Sequence, residues 1–197
     1  MPATPWFRFQ DLAERRTLIL GEASSGKTKL TAEVLEEAVT SQYSKEITVI
    51  DMAPPPLTVG GLRVGGRLKE FTTTVKKVKH LWDPGIKAPR LSSKTPKEVL
   101  DAVKENKARI DRMLKEYLED PSLILIINDV SIYLQAGSFI NLFETIDIAE
   151  TVIINGYYGQ VISEDLGTDV SSIECKGMRL LMRIMDRLIY LKPAIAL

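Results

Sequence analysis

The sequence predicts an α/β protein with an open, mainly parallel sheet covered by helices on both faces. Three observations predict it. Short β-branched or apolar runs (Thr17–Leu20, Ile47–Ile50, Leu123–Ile127, Thr151–Ile154 and Leu188–Leu191) alternate with segments of helical periodicity. Leu123-Ile124-Leu125-Ile126-Ile127 is apolar at every position, as a strand covered on both faces of a parallel sheet requires. Between the first run and the first helix stands Gly21-Glu22-Ala23-Ser24-Ser25-Gly26-Lys27-Thr28, and open sheets of this kind bind ligands at the carboxyl ends of their strands.

Each element follows from its residues. After Thr17–Leu20, the first helix carries Leu30, Val34, Leu35, Ala38 and Val39 at helical spacing. Ile47–Ile50 is the second strand, ended by Asp51 and by Pro54-Pro55-Pro56, which blocks a helix. Gly60-Gly61 and Gly65-Gly66 punctuate an irregular basic stretch, Phe71 to His80 reads as an additional strand or hairpin, and residues 83–95 read as loop. Thr95 as N-cap and Pro96 at the first helical position open a long helix. Val99, Val103, Ile110, Leu114 and Tyr117 share one face of it, and it ends near Asp120-Pro121. Glu105 with Arg109 and Asp111 with Lys115 are expected charge pairs on its solvated face. A helix over about 139–149 follows the apolar strand. The fourth strand then ends at Asn155-Gly156, and a helix over about 170–185 leads to the last strand.

The octet Gly21 to Thr28 is built to hold phosphate. A triphosphate needs several donors converging on closely spaced anionic oxygens, and a glycine-permitted turn of backbone N–H groups supplies them without obstruction. Gly21 and Gly26 stand where the chain must bend, with Glu22, Ala23, Ser24 and Ser25 forming the cradle between them. The loop enters a helix whose first N–H groups have no intrahelical partner and whose dipole favours an anion. Lys27 is placed to reach the β- and γ-phosphates, and the Thr28 hydroxyl to ligate magnesium.

Composition bounds the class. At 197 residues and 45% apolar, the chain buries a full core, and 1–197 reads as a single nucleotide-binding domain with a Gly/Pro-rich basic insertion at about 54–95. The single Cys175 excludes a disulfide framework within the monomer. Pro2, Pro5, Arg8, Asp11 and Glu14 interrupt any signal-peptide-like run, and no run approaches the roughly 20 apolar residues of a membrane span, so a cytoplasmic location is expected. Net charge is zero but unevenly spread. Arg63 to Lys94 holds nine Lys or Arg against two acids, whereas Pro121 to Val170 holds seven acids and no Lys or Arg.

A magnesium nucleotide also calls for an acid at the end of a neighbouring strand, and Leu123 to Asn128-Asp129 supplies one. With these two segments the chain resembles the P-loop NTPase superfamily, Gly21 to Thr28 matching the Walker A motif and Leu123 to Asp129 a Walker B motif. The resemblance implies a three-layer P-loop NTPase fold, ATP and Mg2+ as cofactors, Lys27 and Asp129 as catalytic residues, and Thr28 and Asp129 as metal ligands. Asn128-Asp129-Val130-Ser131 and the late helix leading to Asp186-Arg187 look somewhat like RecA-like ATPases and the adenosylcobinamide kinase group, and favour a RecA-like sheet. If Asn128 holds the terminal strand position, alternation turns Asp129 away from the metal; an amide is the poorer cation ligand, which favours Asp129.

Val130 stands where many relatives carry a catalytic glutamate, so water activation has no obvious owner. Asp51, Glu22, Glu164 and Asp165 are candidates by position, each with a structural alternative. Asn155 is either a γ-phosphate or water contact or a turn residue, and Arg179, Arg183 and Arg187 form either phosphate clamps or a solvated stripe. The region 63–94 is either a site for an anionic substrate, nucleic acid or protein partner or a basic surface loop. No N-K-x-D motif for guanine occurs, which favours ATP. The leading expectation is a magnesium-dependent ATPase coupled to a partner. A small-molecule kinase and a nucleotide-dependent binding switch or nucleic-acid accessory protein are the alternatives.

Overall fold

The computed structural model describes residues 8–41, 43–59 and 62–192. Gly60-Gly61 of the basic stretch, and Pro2 and Pro5 near the N-terminus, lie outside the described residues. In chain order the elements are β1 (Arg16–Gly21), α1 (Lys27–Thr40), β2 (Ile47–Asp51), β3 (Leu57–Val59), β4 (Leu62–Val64), β5 (Lys79–Trp82) and α2 (Pro89–Ser92). Then come α3 (Pro96–Glu119), β6 (Ile124–Asn128), α4 (Ser131–Leu134), α5 (Ile140–Ile148), β7 (Thr151–Tyr157), α6 (Val170–Met182) and β8 (Arg187–Leu191).

Six strands form one sheet in the order β5-β2-β6-β7-β1-β8, all parallel, while β3 and β4 make a separate antiparallel hairpin. Strand alternation divides the interior into two cores. Leu18, Leu20, Leu125, Ile127, Val152 and Ile154 pack with Ile110, Leu114 and Tyr117 of α3, Leu142 and Ile146 of α5, and Met178 and Leu181 of α6. The alternate residues Ile19, Val49, Ile126 and Ile153 pack with Val34, Leu35 and Ala38 of α1 and with Phe9, Leu68 and Val75. The result is the expected three-layer arrangement, helices on both faces of a parallel sheet.

The strand order fixes where the sheet opens. The chain leaves β1 through α1 on one face to reach β2, and leaves β7 through α6 on the other face to reach β8. Adjacent strands whose connections depart to opposite faces leave a crevice at their carboxyl ends. Here that crevice lies between β1 and β7.

Three local expectations are corrected. The Thr-rich segment before β5 does not extend into a strand: the Thr74 N–H bonds the Thr72 hydroxyl (3.1 Å), and Thr74–Lys77 winds into a 3-10 turn, so the strand covers only Lys79–Trp82. The 83–95 segment contains the short helix α2, begun by Pro89, whose fixed φ suits a first helical turn. The charge pairs of α3 are different, because residues 83–88 dock on that helix. Glu105 pairs with Lys87 (2.8 Å) and Arg109 with Asp83 (3.3 Å), while Asp111 pairs with Lys107 and accepts from the Tyr133 hydroxyl (2.7 Å) and Asn141 (2.9 Å).

Candidate functional site

The octet occupies the turn between β1 and α1, and its two glycines are required for different reasons. At Gly21 a Cβ would stand 2.5 Å from the Leu191 carbonyl oxygen and 2.6 Å from Ser25 Oγ, so the constraint there is space. At Gly26, the N-cap of α1, nothing crowds a Cβ but φ is +90°, a conformation other residues rarely adopt. Ser24 is also left-handed, at φ 58°. No side chain caps the first turn of α1, so its N-terminal dipole faces the crevice uncompensated by a cap.

The Lys27 ammonium folds over this turn, donating to the carbonyls of Gly21 (3.0 Å) and Glu22 (2.6 Å). Burial holds Lys27 below the usual lysine range, and the Asp129 and Glu22 carboxylates oppose that shift. Beside it lies a cavity of about 350 Å³, walled by the loop from Ala23 to Lys29, by Val64, Gly65, Gly66 and Phe71 on one side, and by Asp129, Asn155, Tyr157 and Ile162 on the other. Lys27, Thr28 and Asp129 thus border one space at the sheet's switch point.

A row of buried polar residues sets the floor. Asp51 and Asn128 end β2 and β6 on the α1 face of the sheet, and Asn155 lies on the same face of the adjacent β7. That strand does not end at Asn155-Gly156 but runs on to Tyr157, because both residues stay paired with β1. Asn128 donates to Asp51 Oδ1 (2.7 Å) and to the Gly66 carbonyl (3.2 Å). Asn155 donates to Asn128 Oδ1 (2.8 Å) and Thr31 Oγ1 (2.8 Å). Asp51 Oδ2 accepts from the Leu68 N–H (2.8 Å), tying the 65–68 wall to the sheet. Every link is a satisfied bond between buried groups, which makes the row rigid. Asn155 is therefore neither a turn residue nor a free polar side chain: it joins α1 to β6, and its Oδ1 accepts from the Asp129 N–H (3.0 Å).

Asn128 does hold the terminal position of β6, yet Asp129 reaches the cavity. The chain leaves the strand with Asp129 in the left-handed region, φ 60°, which breaks the alternation that would have turned the side chain away. Asp129 accepts from the Ser131 hydroxyl, and Ser131 Oγ in turn accepts from the Tyr157 N–H (3.2 Å). Burial raises the Asp129 carboxyl above its ordinary value, with Ser131 and Lys27 pulling the other way.

A second, smaller cavity of about 60 Å³ lies on the other side of Asp129, sharing Val64, Gly65, Asp129, Tyr157 and Ile162 with the main cavity and lined further by Arg90, Ser131 and Gln135. Its wall holds a buried ion pair: Arg90 Nη2 donates to both Glu174 oxygens (2.9 and 2.7 Å), Nη1 donates to the Ile162 carbonyl (2.7 Å) and Ser171 Oγ (3.1 Å), and Gln135 Nε2 donates to Glu174 (2.7 Å). The guanidinium also stands 5.6 Å from the Tyr157 ring centre. Burial pushes the Glu174 carboxyl up to about 7 despite Arg90 and Gln135, which draw it down. With the folded value above the ordinary 4.5, the folded protein binds the extra proton between those values, so this carboxyl makes stability fall as pH rises from about 4.5 to about 7. Glu174→Gln is expected to flatten that fall, read as urea midpoints across a pH series.

The other sequence candidates are engaged elsewhere. Glu22 accepts from the N–H groups of Gln160 (2.6 Å) and Val161 (3.4 Å) and fastens the loop after β7 to the octet. Glu164 and Asp165 bond N–H groups of Leu166, Gly167 and Ser171 at the approach to α6. Arg179 and Arg183 are exposed on or just after α6, and Arg187 lies in β8, donating to the Asp11 carbonyl (3.1 Å). In the basic region Arg67 spends donors on the carbonyls of Ala53, Asp83 and Pro84. Lys79 pairs with Asp120, Lys87 with Glu105 and Arg90 with Glu174. Sequence reasoning missed Arg90, Gln135, Tyr157 and Glu174. One signal was present: Glu174 interrupts the buried stripe Val170, Met178 and Leu181 of α6, where an acid needs a partner.

Among the described residues no group of three or more His, Cys, Asp or Glu side chains is placed to hold a metal. The Thr28 hydroxyl and Asp129 carboxylate are hard oxygen donors on one cavity, a set that fits magnesium when phosphate oxygens complete its shell. No helix of the described residues is long and apolar enough to cross a membrane.

No protein-family model matches the chain, and no curated protein sequence does. Among solved structures it is similar to the Pif1 helicase from Candida albicans, with a TM-score of 0.41 and 16% identity over 93% of this chain and 37% of that one. It is also similar to the Hef helicase domain of Pyrococcus furiosus, with a TM-score of 0.43 and 9% identity over 93% of this chain and 36% of that one. The chain thus spans little more than a third of each.

Proposed function

We propose that the protein binds ATP with magnesium at the Gly21–Thr28 loop and hydrolyses it, in 1–197 acting as one nucleotide-binding domain, with turnover coupled to a partner. The observation that carries this reading is the meeting of Lys27, Thr28 and Asp129 on one cavity at the sheet's switch point. Left-handed backbone at the non-glycine residues Ser24 and Asp129 supports it, because strain of this kind persists where a binding geometry requires it. In this reading the loop N–H groups and Lys27 cradle the β- and γ-phosphates, as preorganised donors that stabilise charge developing on the transferred group. Thr28 and Asp129 hold the magnesium ion, which neutralises phosphate charge when bound. The rigid Asp51–Asn128–Asn155 row keeps Asp129 and α1 at fixed separation.

Phosphate release from ATP, measured with and without candidate partners, tests the reading; a chain that neither binds nor cleaves ATP contradicts it. Thr28→Ala and Asp129→Asn are each expected to raise the magnesium concentration for half-maximal turnover by about tenfold or more, measured by magnesium titration.

A second reading, a small-molecule kinase, is favoured by the apolar walls Val64, Phe71 and Ile162 beside the loop, with Phe71 left 42% exposed. Transfer of labelled γ-phosphate to a metabolite rather than to water distinguishes it.

A further inference from the structure

The two edges of the sheet are finished differently. At β5, Lys79 pairs with Asp120 (3.1 Å) and the Lys69 ammonium stands over Trp82, 3.9 Å from the ring centre, so charge guards that edge. At the other edge, β8 has β1 as its only strand partner among the described residues, which leaves one row of its backbone N–H and C=O groups without a sheet partner there. Strand alternation turns Ile189 and Leu191 into the α1-side core and sends Leu188 and Tyr190 to the other face. Both stay exposed, at 38% and 57%, although the Tyr190 hydroxyl reaches Met182 Sδ of α6 (3.8 Å). Natural edge strands are blunted by charge, proline or a covering element, so an edge with apolar residues turned outward is a strand ready to be paired.

The residues around β8 select the partner. Asp186 and Lys192, both exposed, flank the strand directly. When a second copy is laid antiparallel with Ile189 opposite Ile189, Asp186 stands opposite Lys192, Leu188 opposite Tyr190 and Arg187 opposite Leu191. Each pair occurs twice about the two-fold axis, which gives two ion pairs and two apolar pairs on one face, with no like charges opposed. Moving the axis to Leu188 sets Asp186 against Tyr190, and moving it to Tyr190 sets Lys192 against Leu188; either shift loses the ion pairs. We propose that β8 is a homodimer interface, joined antiparallel to β8 of a second copy in this register, so that the two six-stranded sheets become one. Self-complementary charge is what favours a second copy over another protein. A two-fold axis perpendicular to the sheet points the carboxyl ends of the two halves in opposite directions. The two phosphate loops therefore open at opposite ends of the dimer, and the inference stands apart from the ATPase reading.

Sedimentation equilibrium of the native chain over a concentration series tests the proposal, with a dimer as the expected species. Tyr190→Lys changes an exposed side chain and leaves the core intact. It is expected to raise the dimer dissociation constant at least about tenfold, because tyrosine is a common interface anchor and the change counts twice about a two-fold axis. Lys192→Asp opposes like charges and is expected to raise the constant several-fold at low salt, and adding Asp186→Lys to it is expected to restore the dimer with the signs exchanged. Asp186 also accepts from the Arg16 N–H (2.8 Å), so a thermal scan of the double variant accompanies its sedimentation. A native chain that stays monomeric at the highest concentration reached overturns the proposal, and so does a Tyr190→Lys variant that dimerises as tightly as the native chain. A double variant with a native thermal midpoint that dimerises no better than Lys192→Asp overturns it as well; if that variant does not fold, Tyr190→Lys decides. None of these readings depends on whether ATP is bound or cleaved, so failure here leaves the ATPase reading standing.

Discussion

Lys27→Ala is expected to weaken ATP binding by roughly 10- to 100-fold, the equivalent of losing one hydrogen bond from a charged donor to phosphate. The ammonium stands beside the cavity at the start of α1, where the loop's other donors are backbone N–H groups and neutral hydroxyls, so none of them replaces its charge. Lys29 also borders the cavity but is exposed, where solvent screens its charge. The same substitution is expected to leave folding stability within about 1 kcal/mol of the native protein. Burial already disfavours the Lys27 charge, as its lowered pKa records, and the two loop carbonyls it covers belong to a turn open to the cavity. Loss of binding without loss of stability is the signature of a residue kept for its ligand. Calorimetric titration with ATP and a thermal scan of each protein measure the two effects.

Arg90→Ala is expected to have the largest effect on stability. Arg90 and Glu174 are 7% and 4% exposed, and removing one partner strands the other's charge in the interior. Such losses cost about 3–5 kcal/mol, which for a chain of this length lowers the midpoint by roughly 6–20 °C. The Glu174 carboxyl titrates near pH 7 even beside Arg90, and without the guanidinium it takes a proton more readily. The destabilisation is therefore expected to be smaller at pH 6 than at pH 8. Replacing both residues together by apolar ones of similar volume is expected to recover much of the loss, because the desolvation of both charges disappears. Thermal scans of the single and double variants at the two pH values check this.

Strands β1, β2, β6, β7 and β8 were legible because each is built on a short apolar or β-branched run, and α3 because Thr95, Pro96 and an apolar stripe mark its start and buried face; β5, with the sequence Lys-His-Leu-Trp, and the β3–β4 hairpin carry no such run of useful length. The order of strands was not legible, since nothing in β6 states that β7 separates it from β1. The octet could be read residue by residue because backbone geometry at a loop and helix start is set locally. Asp129 depended on a single left-handed φ that decides which way the chain leaves β6. The roles of Asp51, Asn128 and Asn155 are also non-local: each is one polar residue following an apolar run until the register brings them together. The charges of 63–94 looked like a basic surface, but Arg67 and Arg90 are buried against distant carbonyls and Glu174. Composition counts charges and cannot show that they are already paired.

The most direct test of the central claim is calorimetric titration of the native protein and of Lys27→Ala with ATP in the presence of magnesium. The account predicts one site in the native protein, competed by inorganic tripolyphosphate because the loop reads phosphate, and a loss of at least about tenfold in the variant. A native protein that takes up no ATP, or a variant that binds it as tightly, would contradict the account.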